Sequence, residues 1–128
     1  MLADSKAFTG FSVDDLDKAR AFYEETLGLP VEVADEMPLM RVTLGGDRRL
    51  LVYAKPDHQP ATFTVLNFPV ADVDEVVDGL ARRGVTFERY EGFGQDEKGV
   101  MRGRGPTIAW FTDPAGNILS VVEESPEA

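Results

Sequence analysis

Apolar residues recur at helical spacing in two separate parts of the chain. The polar residues Asp15 and Asp72 directly precede these stretches and are predicted N-caps. Gly28 and Gly84 follow them, where a left-handed C-cap conformation is sterically cheap. The sequence therefore predicts two helices, with apolar faces at Leu16, Ala19, Tyr23 and Leu27 and at Val73, Val76, Val77 and Leu80.

Runs rich in β-branched and aromatic residues flank both predicted helices. The motif F-x-V-x-D-[LV]-D begins at Phe11 and again at Phe68, an offset of 57 residues. Each half therefore has the order β-α-β-β-β. We expect an α+β fold of two modules in tandem, each a curled four-stranded sheet with one helix, around a shared cavity. The predicted strands are 7–13, 30–33, 40–44 and 50–54, then 62–70, 85–90, 107–112 and 118–122.

Residues 91–105 depart from the symmetry of the two halves. This stretch has five glycines, whereas the first half has only residues 34–39 at the same place. Long loops inside small domains often bind ligands or close over them. Phe93 and Met101 offer apolar side chains to a cavity, so we expect a lid here, with a surface connection as the alternative.

The composition is that of one globular domain over residues 1–128, with modules at about 6–57 and about 61–124. The absence of cysteine excludes disulfides, thiolate metal sites and a cysteine nucleophile. A net charge of −10 disfavours nucleic acid and anionic membrane as partners. With no signal-like or membrane-spanning run, a cytoplasmic location is expected.

Two motifs resemble the vicinal oxygen chelate superfamily, which includes glyoxalases, bleomycin-resistance proteins and extradiol dioxygenases. One is V-x-D-L-x-x-A-x-x-F-Y-x-x-x-L-G, from Val13 to Gly28, and the other is F-x-D-P-A-G-N, from Phe111 to Asn117. The resemblance covers nearly the whole chain. It implies tandem βαβββ modules, pairing into a homodimer, and usually a metal held by His, Glu or Gln on the first and fourth strands of each module.

The residues at those four ligand positions cannot form a metal site. Phe8 and Val65 stand on the first strands, and Leu50 and Ser120 stand on the fourth strands. A divalent metal of this kind needs three or four imidazole or carboxylate ligands, so we expect neither a metal nor another cofactor. The lone histidine, His58, lies in a proline-bounded link and is expected to be a loop or surface residue.

These positions instead predict an apolar pocket with few polar groups. Asn67 either orients a ligand or is satisfied by neighbouring backbone, and Trp110 is either a ligand contact or part of the core. No catalytic residue is identified. The expected ligand-binding residues are Phe8, Leu50, Phe63, Val65, Asn67, Met101, Trp110 and Ser120.

The function predicted from this pocket is metal-independent binding of a small hydrophobic or aromatic molecule. One alternative is a lyase, isomerase or dioxygenase-like enzyme, with a metal in an unforeseen place or with metal-free catalysis by Tyr, Asp or Glu. Another is a dimerisation or regulatory module whose cleft is vestigial.

Overall fold

A computed structural model describes residues 1–124 of the chain. The chain divides into two compact units, Met1–Gln59 and Pro60–Ala128. Each unit contains one four-stranded sheet and one helix, which confirms the predicted α+β fold of tandem βαβββ modules. Among residues 1–124, no helix has the length and apolarity needed to cross a bilayer.

The first module forms a mixed sheet in the order β1-β4-β3-β2. Strands β1 and β4 are parallel, and the other two pairings are antiparallel. The parallel pair is joined by the crossover that contains the helix, as parallel strands require. The elements are β1 (Thr9–Val13), α1 (Leu16–Arg20) continuing as a π-helix (Ala21–Thr26), β2 (Val31–Val33), β3 (Leu39–Leu44), a 3₁₀ turn (Gly45–Asp47) and β4 (Arg48–Ala54).

The second module repeats this topology in the order β5-β8-β7-β6. Strands β5 and β8 are parallel, and β8-β7 and β7-β6 are antiparallel. Its elements are β5 (Thr64–Val70), α2 (Val73–Arg82), β6 (Val100–Met101), β7 (Ile108–Thr112) and β8 (Ile118–Glu123).

Both helices begin at the predicted caps. The Asp15 carboxylate accepts from the Lys18 N–H at 3.1 Å, and the Asp72 carboxylate accepts from the Glu75 N–H at 3.1 Å. Each cap satisfies an amide that has no partner within its helix. Gly28, with φ 74°, follows the first helix in the left-handed region, as its C-cap role requires.

Each helix packs on one face of its own sheet, which we call the helix face. In the first module the Tyr23 ring lies 6.2 Å from the Phe11 ring, on the side where Leu50 is fully buried. Alternate strand residues point to the opposite side, which we call the open face. The buried helix-face side chains are Tyr23, Met40, Val42, Leu50 and Val52 in the first module and Val77, Val100, Ala109, Phe111, Leu119 and Val121 in the second.

The edge strand of the second module differs from the prediction. In the first module β2 pairs with β3 as one short run, Val31–Val33. In the second module Phe87 makes a single bridge to Phe111, and pairing resumes only at Val100. The insertion therefore lies inside the edge strand rather than after it, and residues 88–99 are called the inserted loop below. The strand predicted over 85–90 is reduced to this one bridge.

Candidate functional site

Three of the predicted site residues form a row across the open face of the second module. Asn67 on β5 pairs in register with Ser120 on β8, and Ser120 pairs with Trp110 on β7. The buried Ser120 hydroxyl donates to Asn67 Oδ1 at 2.6 Å. Asn67 is exposed, and its side-chain NH₂ makes no hydrogen bond within the described chain. The row therefore offers a fixed polar donor beside an indole ring.

An aromatic cluster of Tyr90, Phe93 and Trp110 lies over this row. Tyr90 and Phe93 come from the inserted loop, and their rings lie 5.5 and 5.3 Å from the Trp110 ring. Tyr90 and Phe93 lie 5.3 Å apart, so each ring contacts the other two. The interplanar angles of 55–77° are those of edge-to-face contacts, which aromatic rings prefer. Phe93 remains 37% exposed, so the cluster is accessible from solvent.

Met101 borders the same cluster. It pairs with Ile108, which lies two residues before Trp110 on β7 and therefore faces the same side. Half-buried Met101 adds a flexible apolar side chain that adapts to different shapes. The structure thus brings together Asn67, Met101, Trp110 and Ser120 on one face.

Gln95 shapes the inserted loop. Its Oε1 accepts from the Tyr90 N–H at 2.7 Å, and its Nε2 donates to the carbonyls of Glu88 at 2.8 Å and Gly99 at 2.7 Å. These bonds take the backbone groups that a continued edge strand would use. The amide of Gln95 therefore replaces strand pairing and holds Tyr90 next to Trp110.

Charged side chains fasten the end of the loop to helix α2. Arg102 donates to both carboxylate oxygens of Asp74, at 2.6 and 2.9 Å, and to Asp96 at 3.0 Å. Lys98 lies 3.0 Å from Asp78 and 3.4 Å from Asp74. The hydrogen bond from Arg102 lowers the pKa of Asp74. The loop is therefore tied at both its centre and its end.

Acid–base behaviour inside the loop follows from these contacts. At Asp96 partial burial opposes ionisation, but the N–H of Val100 and the guanidinium of Arg102 outweigh it, so the pKa is lowered. Burial raises the pKa of the Tyr90 phenol, and the nearby Glu88 carboxylate raises it further. Tyr90 therefore remains a neutral hydroxyl at physiological pH.

The open face of the first module has different chemistry. Phe8 and Leu51 form an apolar floor, and the side chains of Arg41 and Arg49 stand beside it. The depression has a volume of about 330 Å³, and we call it the arginine pocket. It is lined by Phe8, Leu39, Arg41, Arg49, Leu50 and Leu51.

The prediction that Leu50 is the counterpart of Ser120 is off by one position. Gly10 pairs with Leu51, and Asn67, 57 residues after Gly10, pairs with Ser120. Leu51 is therefore the structural equivalent of Ser120. Leu50 faces the helix with 0% exposure and contributes to the wall of the pocket from beneath.

Phe63 and Val65 do not continue the alternation that was predicted through Asn67. The pairing register of β5 with β8 shifts between Thr64 and Leu66, which leaves Val65 as an extra residue. A bulge of this kind changes the direction of the side chains before it. Phe63 precedes the strand and is 67% exposed. The structure gives neither residue a contact with the aromatic cluster.

His58 lies in the connecting segment, as expected, but it has a side-chain partner on the first sheet. Its Nδ1 lies 2.6 Å from the Ser12 hydroxyl. Ser12 pairs in register with Tyr53 on β4, so the two side chains share the open face. The sequence separation of 46 residues explains why this contact has no local signal.

The residues at the superfamily's ligand positions do not fit a divalent metal. Phe8, Leu51 and Val65 have no donor atom, and the proton of the Ser120 hydroxyl is committed to Asn67. Elsewhere in residues 1–124, His, Asp and Glu side chains do not form a group of three that could hold a metal ion.

Tyr90 is the functional candidate that the sequence prediction missed. The spacing of Tyr90 and Phe93, with a glycine between them, was a weak signal within the long loop. Their convergence on Trp110 depends on Gln95, which folds the loop back on itself.

Comparison with known proteins agrees with the fold. TnmS3, an antibiotic binding protein from Streptomyces sp. CB03234, is 25% identical, with a TM-score of 0.74 over 98% of this chain and 100% of its own. A superfamily member from Sphaerobacter thermophilus is also 25% identical, with a TM-score of 0.72 over 94% of this chain and 98% of its own.

A lactoylglutathione lyase from Agrobacterium tumefaciens shares the fold at 22% identity, with a TM-score of 0.68 over 94% of this chain and 95% of its own. No curated protein sequence matches the chain. The family model described as Glyoxalase/Bleomycin resistance protein/Dioxygenase superfamily matches residues 7–121, nearly the full length. The chain belongs to the glyoxalase/bleomycin resistance protein/dioxygenase superfamily.

Proposed function

We propose that this protein binds a small hydrophobic or aromatic molecule without a metal, on the open face of its second module. The observation that carries the proposal is the aromatic cluster above the Asn67–Ser120 pair. Three rings that contact one another edge to face, with one ring 37% exposed, leave aromatic surface available for a further ring. An antibiotic binding protein among the similar structures supports the same kind of function.

The polar pair gives the proposed site its orientation. Because Ser120 donates to Asn67 Oδ1, the Asn67 amide is fixed with its NH₂ outward. A ligand with a carbonyl or ether oxygen near its ring would accept that hydrogen bond. Such a pocket, mostly apolar with a few placed polar groups, is typical of small-molecule sites.

Trp110 provides a direct test, since it is the only tryptophan of the chain. We would titrate the full chain with a panel of neutral aromatic compounds and follow Trp110 fluorescence. Phe93→Ala should weaken the best compound by roughly tenfold, because an aromatic contact and its buried area are lost. Phe63→Ala removes an equal ring outside the cluster and should leave the affinity within about twofold.

The proposal fails if no compound changes the fluorescence in a saturable way, or if the two variants weaken binding equally. Metal content is tested in parallel. Elemental analysis of tag-free protein, before and after incubation with Zn²⁺, Mn²⁺, Fe²⁺ and Ni²⁺, should give far less than one equivalent. A stoichiometric metal would contradict metal independence.

The Ser12–His58 contact favours a second candidate, metal-free proton transfer on the first module. A hydroxyl 2.6 Å from an imidazole is within reach for general-base activation. His58 would take the hydroxyl proton as Ser12 attacks an ester carbonyl, return it to the leaving alcohol, and then activate water to release the acid. Chromogenic esters should then be hydrolysed by the wild type but not by Ser12→Ala. Equal rates for both proteins would exclude this candidate.

We further propose that the protein pairs into a homodimer, as the superfamily resemblance implies. Size-exclusion chromatography with light scattering should give twice the chain mass of 14.1 kDa. A mass near 14.1 kDa would contradict it.

A further inference from the structure

The arginine pocket concentrates positive charge on a protein that is strongly acidic overall. Arg41 and Arg49 stand on neighbouring strands, with Arg41 opposite Leu51 and Arg49 opposite Thr43. Such diagonal neighbours lie about 7–8 Å apart across a sheet. Two like charges at this distance repel each other unless an anion lies between them.

The acidic groups around the pocket do not neutralise these arginines. Glu32 is the in-register neighbour of Arg41, but the two are 3.8 Å apart and the Glu32 side chain is 80% exposed. A solvated pair of this kind contributes little. Within residues 1–124, Arg49 makes no ion pair or side-chain hydrogen bond.

The wider surroundings are also basic. A second depression of about 890 Å³ adjoins the arginine pocket through Phe8 and Arg49. Charged groups lining the two depressions or paired with them are basic at Lys6, Arg41, Arg48 and Arg49 and acidic at Glu32 and Asp47. This surface therefore has a local charge of +2, whereas the chain has a net charge of −10.

An apolar floor lies directly beside the two arginines. Phe8 is 69% exposed, and Leu51 pairs with Gly10, whose missing side chain leaves the floor uncovered. Tyr53 follows two residues along β4 on the same face and is 38% exposed. An occupant of this pocket meets a cation pair at one end and apolar or aromatic surface along its body.

We propose that the arginine pocket binds a small aromatic carboxylate. The two guanidinium groups would hold the carboxylate by charge-assisted hydrogen bonds, for which arginine has the matching planar geometry. Phe8 and Leu51 would contact the ring. A volume of about 330 Å³ is at the small end of ligand pockets, which suits a molecule of one or two rings. This site is on the first module and does not depend on the function proposed for the second.

The test compares naphthalene-2-carboxylate with its neutral counterpart, naphthalene-2-carboxamide. Binding to the full-length chain is followed by the backbone amide resonances of β1, β3 and β4 in two-dimensional NMR spectra. The carboxylate should bind at least about tenfold more tightly than the carboxamide, and added salt should weaken only the carboxylate.

Variants then locate the binding. Arg41→Gln and Arg49→Gln should each weaken the carboxylate about tenfold and leave the carboxamide unchanged. Arg82→Gln, at an exposed position on α2, removes the same charge far along the sequence and should stay within about twofold. Both pocket arginines are exposed, so these variants are expected to fold, which their amide spectra verify.

Three results would overturn the proposal. The first is an equal loss of affinity in Arg82→Gln, which would mean that only net charge matters. The second is equal affinity for both probes, and the third is the absence of saturable shifts in β1, β3 and β4. Failure of neutral aromatics to change Trp110 fluorescence would instead count against the function proposed for the second module and would leave this result standing.

Discussion

Replacing Gln95 by alanine removes the side chain that gives the inserted loop its shape. The wild-type amide makes three hydrogen bonds to backbone groups, from the Tyr90 N–H and to the carbonyls of Glu88 and Gly99. Alanine leaves all three groups without this partner. Because these groups hold Tyr90 against Trp110, the aromatic cluster should loosen together with the loop.

The size of the effect follows from the three bonds. Each hydrogen bond contributes about 0.5–1.5 kcal/mol net, and Gln95 is half-buried, so water replaces part of what is lost. We expect a loss of about 2 kcal/mol in the free energy of unfolding. With a slope of about 2 kcal/mol per molar urea, the unfolding midpoint should fall by about 1 M.

Urea unfolding followed by Trp110 fluorescence and by far-ultraviolet circular dichroism measures this directly. Gln95→Glu keeps the acceptor for Tyr90 but turns a carboxylate toward two carbonyl oxygens, so it should destabilise at least as much. Gln59→Ala is the matched control, because Gln59 is exposed and makes no side-chain hydrogen bond within residues 1–124. It should change the free energy by less than about 0.5 kcal/mol.

The reasoning is refuted if Gln95→Ala unfolds at the wild-type midpoint and leaves the Trp110 emission maximum unchanged. That result would mean that the loop holds its shape through the charged contacts of Lys98 and Arg102 alone. An intermediate case is also informative: faster hydrogen exchange at the Tyr90 amide with an unchanged midpoint would mean local opening of the loop.

Two further predictions concern packing and pH. Gly10→Ala should destabilise by about 1–3 kcal/mol, because its Cβ would lie 2.9 Å from the backbone oxygen of Leu51, whereas Gly79→Ala on α2 meets only a flexible side chain at 4.0 Å and should stabilise by about 0.5–1 kcal/mol in thermal unfolding. The lowered pKa of Asp74 implies that its contact with Arg102 stabilises the fold above pH 3.8 and is lost as pH falls through the folded-state pKa. The difference in unfolding midpoint between wild type and Arg102→Gln should therefore be larger at pH 7 than at pH 3, and an equal difference at both would contradict this.

The elements that the sequence predicts well are those set by local chemistry. Asp15 and Asp72 cap their helices through amides three residues away, and such contacts depend only on the nearby chain. Strand positions follow from β-branched and aromatic residues in short runs. The tandem βαβββ order was therefore accessible, because the 57-residue repeat states the same local pattern twice.

Register is what local patterns do not specify. The first strands of the modules are offset by 57 residues, but Leu50 and Leu119, which pair with Thr9 and Leu66, are offset by 69. A count along the sequence cannot tell Leu50 from Leu51, and a shift by one residue moves a side chain to the opposite face. The bulge at Val65 has the same effect on Phe63.

Long-range side-chain contacts were equally out of reach. Gln95 interrupts the edge strand by bonding backbone groups on both sides of the loop, and His58 meets Ser12 across 46 residues. Both contacts depend on the folded position of a polar side chain rather than on its neighbours in the sequence. The prediction of a ligand face at Asn67, Trp110 and Ser120 survived because all three lie on regular strands.

The two open faces have the same topology but opposite chemistry, and equivalent positions make this clear. Arg41 pairs with Leu51 as Trp110 pairs with Ser120, and Gly10 stands where Asn67 stands in the other sheet. A cation, an aliphatic side chain and a glycine thus replace an indole, a hydroxyl and an amide. A neutral aromatic ligand suits the second set, and an anionic ligand suits the first. The repeat therefore predicts the fold of both modules, but the binding chemistry has to be derived separately for each face.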